Sequence, residues 1–285
     1  MKPYISKFDA GFDVEKSMHY RMTIQFSLGG FSYAFLDTKV NTLVGLECHQ
    51  ADYTESNELF QLLERALDAK KLSNKDLQSV TCIIDGRTGI LVPELFSNKE
   101  NNAHYLDFSF HIPDGYMQQA ESIEPIEAVN AFAYPKALHD RILGKWKEAK
   151  ITHSGTVFIK SCFEYAPEGK VVFVNVRNRD FDVVVVSDGK LLFYNNFPFK
   201  TKSDFAYFLL FALEQNHVSG LETPVCFSGL ILPDSEIIEL CSRYIKYLLF
   251  IEDRHVMQVS KALEEVPYQY YYLHYQALRY DTHDL

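Results

Sequence analysis

The residues of this chain with chemistry to offer lie where apolar strands end in polar turns: TIQFSLGGF at 23–31, IDGRTG at 84–89, VNVRNRDFD at 174–182 and CFSGL at 226–230. Gln25 and Ser27 alternate with Ile24 and Phe26, and Asn175 and Arg177 alternate with Val174 and Val176, so each polar pair shares one face of its strand. The stretch Val171 to Tyr194 has the shape of a nucleotide-phosphate strand pair but lacks its chemistry: an amide cannot replace a carboxylate's charge where Mg²⁺ or its water shell must be held, or a water deprotonated. Glycine lets the backbone approach a phosphate closely, whereas an arginine side chain fills that volume.

Arg177, Arg179, Asp180 and Asp182 form a charged cluster at the second turn, which reads most simply as solvated turn charges. If a cleft forms there, Arg177 would aim an anion-binding fork into it. Asp85-Gly86-Arg87-Thr88-Gly89 imitates a phosphate loop but lies between two short strands with no helix behind it, so a hairpin turn is expected. HDRILGKW at 139–146 fails the P-loop pattern at His139 and Trp146. Ser228 lacks the glycine two residues back that a nucleophile elbow needs, since Cys226 stands there. Cys48 and His49 are adjacent on a strand and point to opposite faces, and the other histidines are dispersed, so neither a catalytic residue nor a metal site is expected.

The elements that must position these residues follow from hydrophobic period. Residues 1–17 have none and read as a surface arm. RMTIQFS, FSYAFLDT and NTLVGLECH form a three-stranded meander. Thr54 to Lys71 reads as a helix capped at Thr54, Val80 to Ile84 and Ile90 to Val92 as strands, Ala103 to His111 and Ile126 to Ala131 as strands, and Pro135 to Ala149 as a helix. A helix over Thr152 to Tyr165 leads into a second meander, Val171 to Tyr194. A helix from Ser203 to Asn216 capped at Ser203-Asp204, a strand Val225 to Phe227, a helix Pro233 to Ile245 and a strand Tyr247 to Ile251 follow. The tail from Val266 carries YQYYYLHY, aromatics with polar tips that suit a docked terminal segment, or a surface for assembly.

The meanders align without gaps when Phe31 is set against Phe181, an offset of 150 residues. Ile24-Gln25-Phe26-Ser27 then faces Val174-Asn175-Val176-Arg177. Each meander is followed by further α and β units, so one plan is used twice. This duplicated order resembles the actin-like ATPase superfamily of actin, sugar kinases and Hsp70-type chaperones, and more narrowly an uncharacterised bacterial family of cytoplasmic proteins assigned that fold. The resemblance implies an α/β fold of two similar ribonuclease H-like domains, each a mixed sheet opening with a β-meander and flanked by helices. It divides the chain into 1–150 and 151–285, the second domain carrying the aromatic tail. It also implies a cleft between domains where two apolar-Asp-x-Gly turns cradle ATP. Here Gln25 and Asn175 stand at the acid positions and Ser27 and Arg177 at the glycine positions, while Phe227-Ser228-Gly229-Leu230 keeps only Gly229 of the two glycines on the adenosine side.

The candidate cleft is therefore Gln25, Ser27, Asn175, Arg177 and Gly229, and the expectation is a degenerate, non-catalytic binding or scaffold protein without a cofactor, whose partner is another protein. The alternative is an ATPase or phosphotransferase that uses ATP with Mg, with Asp180 or Asp182 as the acid. At 285 residues and a net charge of −10, the chain lacks the local surplus of Lys and Arg that a nucleic-acid surface needs. Five cysteines, odd in number and without a CxxC, suit buried reduced thiols. The N-terminus has no apolar core for a signal peptide, and the longest apolar run, Phe205 to Leu213, is too short to span a bilayer, so the cytoplasm is the expected location.

Overall fold

The computed structural model describes residues 3–27, 29–51, 56–166, 168–252 and 258–283. In chain order the elements are β1 (Ile5–Phe8), β2 (Tyr20–Ser27), β3 (Gly30–Asp37), β4 (Thr42–Gln50), α1 (Ser56–Ala69), β5 (Ser79–Ile84), β6 (Gly89–Pro93), α2 (Lys99–Ser109), β7 (Tyr116–Ile123), β8 (Ala128–Pro135), α3 (Lys136–Lys145), β9 (Lys150–His153) and α4 (Ser154–Tyr165). Then come β10 (Lys170–Val176), β11 (Asp180–Ser187), β12 (Lys190–Pro198), α5 (Lys202–Gln215), β13 (Val225–Gly229), α6 (Glu236–Cys241), β14 (Leu248–Phe250), β15 (Gln258–Val259) and α7 (Tyr272–His283). They pack as two compact units. The first holds the described residues up to Val157 with those of 255–266 and 274–285, and the second holds those of 158–254 and 267–273.

The sheet of the first unit has the order β1-β4-β3-β2-β5-β9, with β15 also pairing β4. The sheet of the second has the order β12-β11-β10-β13-β14. An antiparallel meander followed by two parallel strands thus recurs. The register repeats with it: Gln25 lies opposite Ser32, and Asn175 opposite Asp182, each 150 residues on. In the first unit Met22, Ile24 and Phe26 enter a core with Leu59, Leu63 and Leu67 of α1 and Leu138 and Ile142 of α3. In the second, Val172, Val174 and Val176 pack with Phe205 and Leu209 of α5. Every residue of β10 from Val171 to Val176 is buried, as expected of a strand covered on both faces.

A second sheet of the first unit, β6-β8-β7, is an insertion between β5 and β9. Several sequence expectations fail here. Residues 103–111 form most of helix α2, begun by an Asn98 side chain that accepts from the Asn101 N–H, because Leu106 packs inward with Val92 and Ala131 while Tyr105 and Phe108 stay exposed. β7 has alternating exposure along YMQQAESI, so it carries almost no apolar signal. The arm contains β1, an edge strand paired with β4, and β9 precedes α4 where one helix was expected. Strand Ile126 to Ala131 is shifted to β8, and the helix expected over 233–245 shortens to α6. The α5 cap is Thr201, not Ser203: its hydroxyl accepts from the Asp204 N–H while the Asp204 carboxylate accepts from the Thr201 N–H. The expected cap at Thr54 lies outside the described residues. The five cysteines are buried and form no disulfide among the described residues, and burial pushes Cys48 and Cys241 up to about 12.

Candidate functional site

The second turn is closed by its own side chains. β11 places Asp180 and Asp182 on one face, beside the Arg177 side chain across the hairpin. Arg177 donates from Nη1 and Nη2 to the two oxygens of Asp182, at 2.5 and 3.0 Å, and from Nε to Asp180 Oδ1 at 2.5 Å. Asn196 Nδ2 donates to Asp182 at 3.0 Å. Arg177, Asp180 and Asp182 are all buried, so the reading as solvated charges is overturned; only Arg179 of the four is exposed. The fork faces a bidentate carboxylate partner from its own chain, and an incoming anion would have to displace Asp182. Asp180 and Asp182 are likewise committed to Arg177.

Asn175 and Gly229 meet through the β10–β13 pairing, in which Asn175 lies beside Ser228 and Val176 beside Gly229. Ser228 Oγ donates to Asn175 Oδ1 at 3.2 Å, and Asn175 Nδ2 is buried with no hydrogen bond among the described residues. Gly229 has φ +84°, and a Cβ there would stand 2.1 Å from the Val176 carbonyl oxygen and 2.9 Å from Asn175 Oδ1. Its glycine is required by the sheet beside it.

At the first turn, Gln25 Nε2 donates to Asp85 Oδ2 at 2.6 Å, and Ser27 Oγ donates to the Gly30 carbonyl at 3.2 Å. Asp85 follows β5 and donates its N–H to the Phe26 carbonyl, as Leu230 does to the Val176 carbonyl in the second unit. The first turn thus has a carboxylate beside Gln25, delivered by the neighbouring strand. The apolar strand ending directly in Asp85-Gly86 was the available signal, but pairing with Gln25 depends on strand order, which local pattern does not carry. On the same face as Gln25, His274 of α7 bonds Thr23 at 2.9 Å and Ser32 at 2.7 Å, and complete burial lowers its pKa to about 3.

Residues 85–88 are not a hairpin turn: β5 and β6 belong to different sheets, and the segment crosses from one to the other. His153, immediately before α4, fixes it. The Gly155 N–H donates to His153 Nδ1 at 3.1 Å, which leaves the proton on Nε2 to donate to the Gly86 carbonyl at 3.0 Å. Below this loop lies a pocket of about 220 Å³ lined by Phe26, Ser27, Leu59, Tyr116, Tyr134 and Leu138 together with Asp85 to Thr88.

A second buried polar cluster centres on Glu47 of β4, which accepts from Ser6 at 2.6 Å, Tyr33 at 2.7 Å and His49 at 2.8 Å, with Lys70 Nζ at 3.2 Å. Burial alone would raise this carboxyl; the four donors overcome it and hold the pKa at about 2. Among the described residues no group of three or more His, Cys, Asp or Glu is placed to hold a metal.

Two sheets of one topology, each a meander extended by parallel strands, with a polar turn after β2 in one and after β10 in the other, define an actin-like ATPase fold. The chain is similar to a Bacteroides thetaiotaomicron VPI-5482 protein with actin-like ATPase fold and unknown function, at 16% identity and TM-score 0.74, over 84% of this chain and 93% of that one. It is also similar to the PilM-PilN type IV pilus biogenesis complex, at 9% identity and TM-score 0.58, over 91% and 98%. No curated protein matches the sequence. Residues 9–248 match the family described as protein of unknown function (DUF3822), and the chain belongs to that family.

Proposed function

We propose that the chain is a non-catalytic binding or scaffold protein, a degenerate member of the actin-like fold that binds another protein and neither holds nor hydrolyses ATP. The observation that carries this reading is the Arg177 guanidinium engaged by Asp182 and Asp180 where a phosphate-binding glycine would leave room. Gln25 and Asn175 at the acid positions support it, since neither can hold the charge of Mg²⁺. The pilus-complex relative is named for an assembly of two proteins, which lends the fold a precedent for protein binding. A cytoplasmic location belongs to the same reading; no described helix is long and apolar enough to cross a membrane.

A second reading, an ATPase or phosphotransferase, is favoured by the Asp85 carboxylate 2.6 Å from Gln25. It would draw its acid from Asp85, because Asp180 and Asp182 are committed to Arg177. Thermal melting with Mg-ATP, read beside phosphate release, separates the two. The degenerate reading expects neither a rise in Tm nor release. A rise that requires magnesium would overturn it, because a ligand of the native state at a hundred times its Kd adds about 2.7 kcal/mol.

A further inference from the structure

The sheet of the second unit ends at β12, nine residues long, on one side and at the three-residue β14 on the other. Among the described residues no strand pairs with the outer side of β12. The Phe199 N–H donates to the Arg179 carbonyl at 2.9 Å and continues the ladder to β11, so the alternation of the strand turns the Asn196 N–H and carbonyl outward. The side chain next to it, Asn195, accepts from this N–H through Oδ1 at 2.9 Å. Native sheets guard such edges with charges or proline. Between Lys190 and Pro198, the two ends of β12, the run LLFYNNF holds neither, and past a bulge at Leu192 the strand is regular.

Helix α5 gives the same edge an apolar flank. Phe197 of β12 stacks on Phe208 with centroids 5.6 Å apart, Phe208 meets Tyr207 at 5.2 Å, and Tyr207 stacks on Phe211 at 6.2 Å. The rings lead from the edge to the surface, where Tyr207 is 62% and Phe211 43% exposed. Lys200 and Lys202 are exposed at the start of this helix and Glu214 at its end. The tail aromatics Tyr271, Tyr272 and Tyr275 are buried, so they offer no surface for assembly.

We propose that a second copy of this chain occupies the edge, with β12 pairing antiparallel to β12 of the other copy about a two-fold axis. The two five-stranded sheets become one, and the two α5 helices lie side by side and antiparallel. The lysine end of each helix then meets the Glu214 end of the other, the exposed rings of one helix meet those of its mate, and no like charges confront each other along residues 191–197. This self-complementarity selects a copy over an unrelated strand. The occupant differs from the other protein of the proposed function, and its test contains neither that protein nor nucleotide, so its failure leaves that reading standing.

Sedimentation equilibrium of the full chain alone, at micromolar concentrations, should give twice the chain mass. Asn195→Asp keeps an oxygen to accept from the Asn196 N–H but sets two carboxylates near each other across the axis, and Tyr207→Glu does the same between the helices. Each should weaken the dimer at least about tenfold with an unchanged far-ultraviolet circular dichroism spectrum. Phe108→Glu, at an exposed ring of α2 in the first unit, should leave the dimer as tight as wild type. A chain that stays monomeric, a dimer that either Asn195→Asp or Tyr207→Glu leaves intact, or one that Phe108→Glu weakens as much would overturn the proposal.

Discussion

Arg177 and Asp182 form a bidentate ion pair inside the second unit, with Asp182 lying across the β10–β11 hairpin from Asn175. The pair fills the second turn with a closed, buried polar cluster. Such a pair is costly to break because the surviving charge stays buried. Asp182→Ala is therefore expected to lower unfolding stability by about 3–5 kcal/mol, the range for removing one partner of a buried pair. Urea denaturation of the variant checks it. A loss under ~1 kcal/mol, typical of exposed pairs, would show that the cluster is solvated after all.

Gly229→Ala is expected to cost about 2 kcal/mol or more, since the new Cβ meets the Val176 backbone and the φ of +84° is strained for any L side chain. The measurement is the urea midpoint at unchanged slope. A neutral substitution would release Gly229 from its packing role and return it to the list of ligand-facing glycines.

Glu47 gives the first unit an acid dependence. Its folded pKa of about 2 lies below the usual 4.5, so its contribution is complete above pH 4.5 and is lost as pH falls toward 2. The shift corresponds to about 3 kcal/mol. Glu47→Gln should be destabilised by about that much at pH 7, and the gap from wild type should close between pH 4.5 and 2 in pH-dependent melting. A gap that is constant with pH would contradict the assignment.

His274 acts in a higher window. Its folded pKa of about 3 is below the ordinary 6.5, so the unfolded chain binds the extra proton and stability falls as pH drops from 6.5 toward 3. One proton gives a slope of about 1.4 kcal/mol per pH unit. His274→Ala should lose about 2 kcal/mol at pH 7, with its bonds to Thr23 and Ser32 gone. It should also flatten the pH dependence in that window. An unaltered slope would place the acid sensitivity elsewhere.

The duplication was legible because strand register obeys a period of two: aligning Phe31 with Phe181 already set Gln25 and Asn175 at equivalent places, and the Ser32 and Asp182 partners follow. The insertion was not. β7 has no apolar face to announce it, and α2 buries too few side chains to impose a helical stripe over Tyr105, Leu106 and Phe108. Of the candidate site, the residue types Gln25 and Asn175 at the ends of their strands show in the sequence. The state of Arg177, the role of Gly229 and the approach of Asp85 to Gln25 depend on which strands become neighbours, and local pattern does not encode that.

The central claim is that Arg177, held by Asp182 and Asp180, leaves no place for the phosphates of ATP. Calorimetric titration of the intact chain with Mg-ATP tests it most directly. The expected result is no binding heat up to millimolar nucleotide, with or without magnesium. A saturable, magnesium-dependent isotherm that disappears in Asp85→Asn would contradict it and establish the nucleotide-using reading in its place.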